Sequence, residues 1–339
     1  MQGVGTSARC LGDATPDSIY RCSMDDIDEQ LAGLFFPYAT KKQNDVRSGK
    51  TRFVHYTTAE AAVRIIQNRE VWMRRTTTMN DYMEVEYGFE CLNAAYKSEA
   101  ATKMKTALDE EFPGTCDELE KRFNLWLPAF RGETYVTCIS EHDTNEDDIG
   151  RLSMWRAYGS TAGVAIVLNS TAFATASDAI RAYTSPVAYL SNAQFEREFG
   201  LISDNIANSR ELWRHLGQES VIDAVFQMMR FSTVCTKHPG FHEEREWRII
   251  HTPALEATDR LPSNVEVVRG VPQCVHKIPL RNYPEEGFVG AEVPELIDRI
   301  IIGPAVDAWS MRDAFVRLLE GAGTEDARSR VVISDIPLR

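Results

Sequence analysis

The stretch TRFVHYTTAEAAVRIIQN, residues 51–68, constrains the fold more than any other part of the chain. RFVHYT has the β-branched and aromatic content of a short strand. TAEAAVRIIQN follows without a gap and repeats Ala61, Ala62, Ile65 and Ile66 at helical spacing, with Thr58 as N-cap and Glu60 in the first turn. A strand that feeds directly into a helix points to a layered architecture containing both. EVWMRR at 70–75 reads as the next strand, and TTTMNDY as the polar loop leaving it.

The same alternation continues. From about Met83 to Phe130 the composition is helical, interrupted by the breaker pair Pro113-Gly114, and a second helical block runs from about Ser191 to Cys235. ETYVTCIS, AGVAIVLN, EREWRII, VHKIPL, DRIIIGP and VVISDIP read as strands, LSMWRAYG and SMRDAFVRLLEGAG as helices. The expected fold is therefore α+β, a central mixed or antiparallel sheet decorated by helices. Its strands are expected near 52–57, 70–74, 134–140, 163–168, 245–250, 275–280, 298–302 and 331–335. One domain is expected over 51–339, with helical insertions near 84–130 and 191–235. Residues 1–50 are weakly patterned and end in the basic run KKQNDVRSGKTR, which reads as a partly ordered arm rather than a nucleic-acid patch.

Composition narrows the functional classes. Hydrophobic residues make up 43% of the 339 and charged residues 26%, which excludes a disordered or fibrous chain. The net charge of −13 argues against a general coat for nucleic acid or anionic lipid. No run approaches the roughly 18 apolar residues of a membrane span, and the N-terminal stretch lacks a signal-like apolar segment, so a cytoplasmic protein with no membrane partner is expected. The seven scattered cysteines, none in a C-x-x-C pair, fit free thiols. Cys235, His238 and His242 come nearest to a metal cluster, but Pro239 and Gly240 interrupt them and no fourth ligand is near, so no metal is expected. The acidic stretch Glu141–Asp148 lacks the central Gly and terminal Glu of a calcium loop and reads as solvated. The common phosphate-binding loops, zinc-protease helices and serine-hydrolase elbows are missing.

Three segments remain: FVHYTT, CISEHD with MWRAYG, and HEEREWRII. His55-Tyr56-Thr57, Trp72, Asn80-Asp81, Cys138-x-Ser140, Met154-Trp155 with Tyr158, Glu244-x-Glu246-Trp247-Arg248 and Ile302-Gly303-Pro304 together resemble the bacterial family catalogued as domain of unknown function 2971, over about residues 51–339. More distantly, an early strand bearing H-Y-T before a helix, a middle strand ending in a hydroxyl residue and a late strand bearing Glu resemble the ADP-ribosyltransferase layout. That resemblance implies a split sheet and NAD as substrate. It implies His55 as the ribose or amide contact, with Tyr56 and Thr57 beside it, and Tyr56, Trp155 or Tyr158 as aromatics for the nicotinamide. Ser140 would be a polar support and Glu246 the catalytic carboxylate, aided by Glu244. No metal is implied, and the acceptor would be a macromolecule, protein or nucleic acid. A toxin or phage-defence effector is the setting it suggests.

The residues make a case of their own for the glutamates. If EREWRI is extended, alternation puts Glu244, Glu246 and Arg248 on one face, with the carboxylates about 7 Å apart along the strand. A fixed carboxylate beside a ribose would stabilise the positive charge that builds up as an N-glycosidic bond breaks. Arg248 would either support the carboxylate or bind a pyrophosphate. The bland alternatives are that the glutamates pair with nearby cations, that His55 is a hydrogen-bonded structural imidazole, and that the tryptophans pack the core. Adjacent His55 and Tyr56 face opposite sides of a regular strand, so one of them is expected in the core. Two rival functions stand beside the NAD-cleaving enzyme: a non-catalytic binding module on the same scaffold, and a nucleic-acid-processing protein using Arg69, Arg74, Arg75 and the 41–52 run.

Overall fold

Thr58 caps its helix as its sequence position suggests: its side chain accepts from the Ala61 N–H, and the helix buries Ala62 and Ile66. The computed structural model describes residues 27–78, 82–159, 162–174 and 177–337, without the side chains of 82–84, so Asn80-Asp81 lies outside the described residues. In chain order the elements begin with α1 (27–35) and α2 (Pro37–Arg47). The first strand–helix–strand unit is β1 (Arg52–Thr58), α3 (Ala59–Asn68) and β2 (Glu70–Arg75). Three helices follow, α4 (Tyr82–Lys97), α5 (Thr102–Glu111) and α6 (Thr115–Gly132), then β3 (Tyr135–His142), α7 (Leu152–Tyr158) and β4 (Gly163–Leu168). After α8 (Thr171–Ala174), β5 (Tyr183–Pro186) and β6 (Ala188–Tyr189) comes the second helical block, α9 (Asn192–Asn208), α10 (Arg210–Leu216) and α11 (Gln218–Val234). The chain closes with β7 (Thr236–Lys237), β8 (Glu246–His251), β9 (Ser263–Val268), β10 (Val271–Pro279), α12 (Val293–Leu296), β11 (Ile297–Ile302), α13 (Ala308–Ala322), α14 (Ala327–Arg330) and β12 (Val331–Ile333).

The fold is mixed α+β, built on an open ten-stranded sheet that contains all eight segments expected as strands. Its main path is β12-β11-β4-β1-β3-β2-β10-β9, with β8 on β3 and β5 on β8. Pairing is antiparallel except for β11 with β12. β5 and β9 are additional strands. β9 is easily overlooked because, as an exposed edge, it carries little of the burial that shapes sequence patterns.

One apolar cluster lies on the face of β1, β3 and β8 that carries Phe53, Ile139 and Trp247, and it is closed by α3 and α13. A second is almost wholly helical and joins both helical blocks. A third packs Val54, Tyr56 and Ala165 against Met154 and Trp155 of α7.

One sequence reading differs from the structure and another is made more definite. The part of the 1–50 arm that is described is helical over 27–35 and 37–47, and it buries Phe35 among the helices and Val46 against the sheet. The spacing of Leu31, Leu34 and Phe35 is the signal for α1. The acidic stretch Glu141–Asp148 is bound into the fold rather than simply solvated. Asp143 and Glu146 pair with Arg245, Glu146 also with Arg151, Asp147 with Arg52, and Asp148 with Arg299. The 41–52 basic run is partly used in the same way, since Lys42 pairs with Glu141 and Arg52 also with Asp298.

Candidate functional site

The register of β3 creates the site. One edge of β3 is occupied by β8 along Tyr135–Ser140. The other edge receives two strands: β1 pairs with it at Ser140–His142, and β2 pairs with it only at Tyr135 and Val136. Between those ends β1 and β2 part, and the sheet forks at Thr137–Ile139. Because the opening is an edge gap and not a face of the sheet, neighbouring residues of β1 both reach it. His55 and Tyr56 both border the cleft, but Tyr56 is buried in the cluster with Val54 and Trp155, so one of the two is core as strand alternation requires.

The cleft encloses about 410 Å³ and brings together His55, Tyr56, Thr57, Ser140, Tyr158, Glu244 and Glu246. Trp155 and Arg248 do not line it. Trp155 is buried, edge-on to Tyr56 with ring centroids 5.0 Å apart, and it donates Nε1–H to the Ile149 carbonyl at 2.9 Å. Trp72 lines the cleft from β2, with its Nε1–H donated to Glu70 at 3.1 Å. The aromatics lining the cleft are thus Tyr56, Tyr158 and Trp72.

His55 donates Nδ1–H to the Cys138 carbonyl at 2.9 Å, since a carbonyl can only accept. Nε2 is then left as an acceptor. Burial lowers the imidazole pKa and the bond to Cys138 offsets only part of that, so His55 is neutral at pH 7. The Tyr56 hydroxyl accepts from the Arg151 N–H at 2.7 Å, and burial pushes its pKa up to about 12.

Val54, Ser140 and Glu246 are in register across β1, β3 and β8. Glu246 is buried, with Oε1 bonded to Arg248 Nε at 2.7 Å and Oε2 to Lys237 Nζ at 2.8 Å. Its N–H is donated to the Tyr189 hydroxyl at 2.8 Å. Burial alone would raise its pKa, but Arg248 and Lys237 outweigh that and hold the carboxyl well below the usual range. A carboxylate has about four acceptor sites, so the two cations and the Cys138 thiol that also bonds it do not exhaust it.

Glu244 reaches the cleft by a route the sequence does not suggest. It ends a 3₁₀ turn over Pro239–Glu244, and Arg245 then adopts the left-handed conformation, φ 46° and ψ 45°. That twist ends strand geometry before Glu246. The Glu244–Arg248 alternation expected from sequence therefore holds only for Glu246 and Arg248, both on β8. Glu244 joins the site by sharing Lys237 with Glu246, at 2.6 Å. Sequence reasoning missed Lys237 as a site residue because a buried lysine in TKHPG carries no local signal. Among the described residues no group of three or more His, Cys, Asp or Glu is arranged to hold a metal ion. Of the earlier metal candidates, His238 caps the Gly240 N–H and His242 bonds the Pro239 carbonyl.

A larger cavity of about 890 Å³ adjoins the fork and shares His55, Ile65, Val71 and Thr137 with the cleft. Its wall is chiefly aliphatic and aromatic, so the chemically competent groups converge on the smaller opening. Among the described residues no helix is long and apolar enough to cross a membrane.

Residues 154–249, from α7 into β8, match the model of a family described as protein of unknown function (DUF2971). The match includes Tyr158, Glu244 and Glu246 of the cleft, with Lys237 buried behind the two glutamates, and supports kinship with that family. No curated protein and no solved structure matches the chain.

Proposed function

We propose that the cleft binds NAD, breaks its nicotinamide–ribose bond and transfers ADP-ribose to a macromolecular acceptor. The observation that carries this reading is the convergence of His55, Ser140 and Glu246, from three strands, on one fork in the sheet. The C1′–N1 bond breaks with its electron pair leaving on neutral nicotinamide, and an acceptor nucleophile bonds to C1′ and gives its proton to solvent. An ionised Glu246 accepts from the ribose 2′-hydroxyl and stabilises the cationic sugar of the transition state. Its depressed pKa suits a fixed charge better than a proton acceptor. Nε2 of His55 accepts from a ribose hydroxyl or the carboxamide N–H. Tyr158 offers a ring face to the nicotinamide, since the Trp72 ring already carries Arg64 and Lys277, and Glu244 orients the acceptor.

One observation favours a non-catalytic scaffold instead: both oxygens of Glu246 already hold buried cations, as a structural carboxylate would. Incubation of the full chain with NAD separates the two. Release of free nicotinamide that disappears in Glu246→Gln supports the enzyme, and no release from the folded wild type refutes it.

A further inference from the structure

Two arginines at the rim of the cleft have no role in the chemistry above. Arg74 lies on β2 opposite Val136 of β3, and Arg269 forms the turn between β9 and β10. Both line the cleft, and among the described residues neither is paired with a carboxylate. Each is nevertheless held in place. Arg74 donates Nη2–H to the Thr78 carbonyl at 2.8 Å and Nε–H to Gln273 at 3.2 Å.

Arg269 is fixed by its backbone. Val268 pairs with Val271, so Arg269 and Gly270 make a two-residue hairpin turn, with φ of 51° and 79°. That turn favours Asn or Gly first, because a left-handed conformation costs other residues about 1–2 kcal/mol. The turn sets where the exposed Arg269 side chain leaves the hairpin; Arg69, Arg181 and Arg245 have positive φ as well, so it is the place on the cleft rim that singles Arg269 out. The two guanidiniums also repel one another: burial chiefly, and then the charge of Arg269, lowers the pKa of Arg74. A bound anion would relieve that repulsion.

We propose that Arg74 and Arg269 form an anion subsite that takes the pyrophosphate of the dinucleotide. The identity of the ligand rests on the NAD reading; the anion site itself does not. Position agrees with it. Arg74 is in register with Val136 and Glu246 with Ser140, four residues apart on β3, or about 13 Å at strand rise. A ligand with its glycosidic carbon at Glu246 can span to Arg74 along the cleft, with Arg269 on the same rim. A pyrophosphate accepts the paired N–H groups of a guanidinium in a bidentate way, and two such groups match its two phosphates.

Calorimetric titration of the full chain with inorganic pyrophosphate, and separately with ADP-ribose, tests the subsite without requiring turnover. Arg269→Gln, at an exposed position, and Arg74→Lys, which keeps the charge but loses the fork, are the variants. The expected result is at least a tenfold loss of affinity for both ligands in Arg269→Gln, a smaller loss in Arg74→Lys, and weaker wild-type binding as salt rises. Wild-type affinity in Arg269→Gln overturns the subsite. Nicotinamide release assayed in parallel distinguishes the two readings. Turnover with an unchanged KM in Arg269→Gln refutes the subsite and leaves the enzyme standing. Arginine-dependent pyrophosphate binding without any nicotinamide release refutes the enzyme and leaves the subsite standing.

Discussion

His55 on β1 bonds the carbonyl of Cys138 on β3 at 2.9 Å, in the stretch where no β1–β3 backbone pairing remains. The side chain thus takes the place of a missing strand at the fork. Removing it in His55→Leu leaves the Cys138 carbonyl without that donor and is expected to cost about 1–3 kcal/mol in urea denaturation.

The pH dependence follows from the same group. The imidazoles of His55, His142 and His251 all have lowered pKa values, with burial the largest cause in each. A lowered folded pKa means that the unfolded chain binds more protons. The stability contributed is therefore fully present above the unfolded value near 6.5 and is lost as pH falls through the folded values. Glu246, Glu146 and Asp147 are also lowered, but their contribution is lost only below the ordinary carboxylate range. The melting temperature should be level between about pH 7 and 8 and decline as pH falls below about 6.5. His55→Leu should flatten part of that decline, and an unchanged slope would remove His55 from the account.

Glu246 and Lys237 form a coupled buried pair, so their deletions should not add. Glu246→Gln or Lys237→Met alone leaves a buried charge with one partner fewer, since Lys237 keeps Glu244 and Glu246 keeps Arg248, and is expected to cost about 1–3 kcal/mol. The double variant should be more stable than the sum of the two by about 0.5–3 kcal/mol. If Glu246 also carries the chemistry, the double variant recovers stability without recovering nicotinamide release. Recovery of both would assign the carboxylate to the fold alone.

Arg245 allows its backbone to be tested apart from its charge. Arg245→Ala and Arg245→Gly both lose the ion pairs with Asp143 and Glu146, but only glycine adopts φ 46° without penalty. The glycine variant should be the more stable by about 1 kcal/mol. Equal denaturation midpoints would mean that the turn relaxes when the side chain is removed.

The strands of the sheet were legible in the sequence because each is a short β-branched run, and His55, Ser140 and Glu246 stood out within them. The fork was not legible, since it arises from where β1 and β2 stop pairing with β3, and register is a relation between distant segments. Glu244 was placed on a strand because nothing in HEEREWRII marks Arg245 as left-handed. Trp72 was noticed as part of a pattern but not as a cleft residue, for the same reason as the fork. Arg269 was the more accessible omission: an R-G pair between two valine-rich runs is a recognisable hairpin signal, weakened by arginine in place of asparagine.

Ile302-Gly303-Pro304 lies outside the matched residues 154–249 and contributes no side chain to the cleft, and packing explains its glycine. A Cβ on Gly303 would lie 2.9 Å from the Trp155 ring and 3.0 Å from the Gly163 carbonyl oxygen, whose bond with the Gly303 N–H is 2.9 Å. Trp155 cannot retreat, because its Nε1–H is tied to Ile149 and its ring is set against Tyr56. Gly303→Ala is therefore expected to destabilise by about 1–3 kcal/mol, the usual range for overpacking. Part of that loss should return in Gly303→Ala combined with Trp155→Phe, where the smaller ring makes room, so the pair should fall short of additivity in a denaturation cycle. The displacement also has a path to the site, since Tyr56 both touches Trp155 and lines the cleft. Gly303→Ala should consequently weaken ADP-ribose binding at temperatures where the variant is still folded. Full additivity with unaltered binding would show that Gly303 has no packing role and that its place in the motif needs another cause.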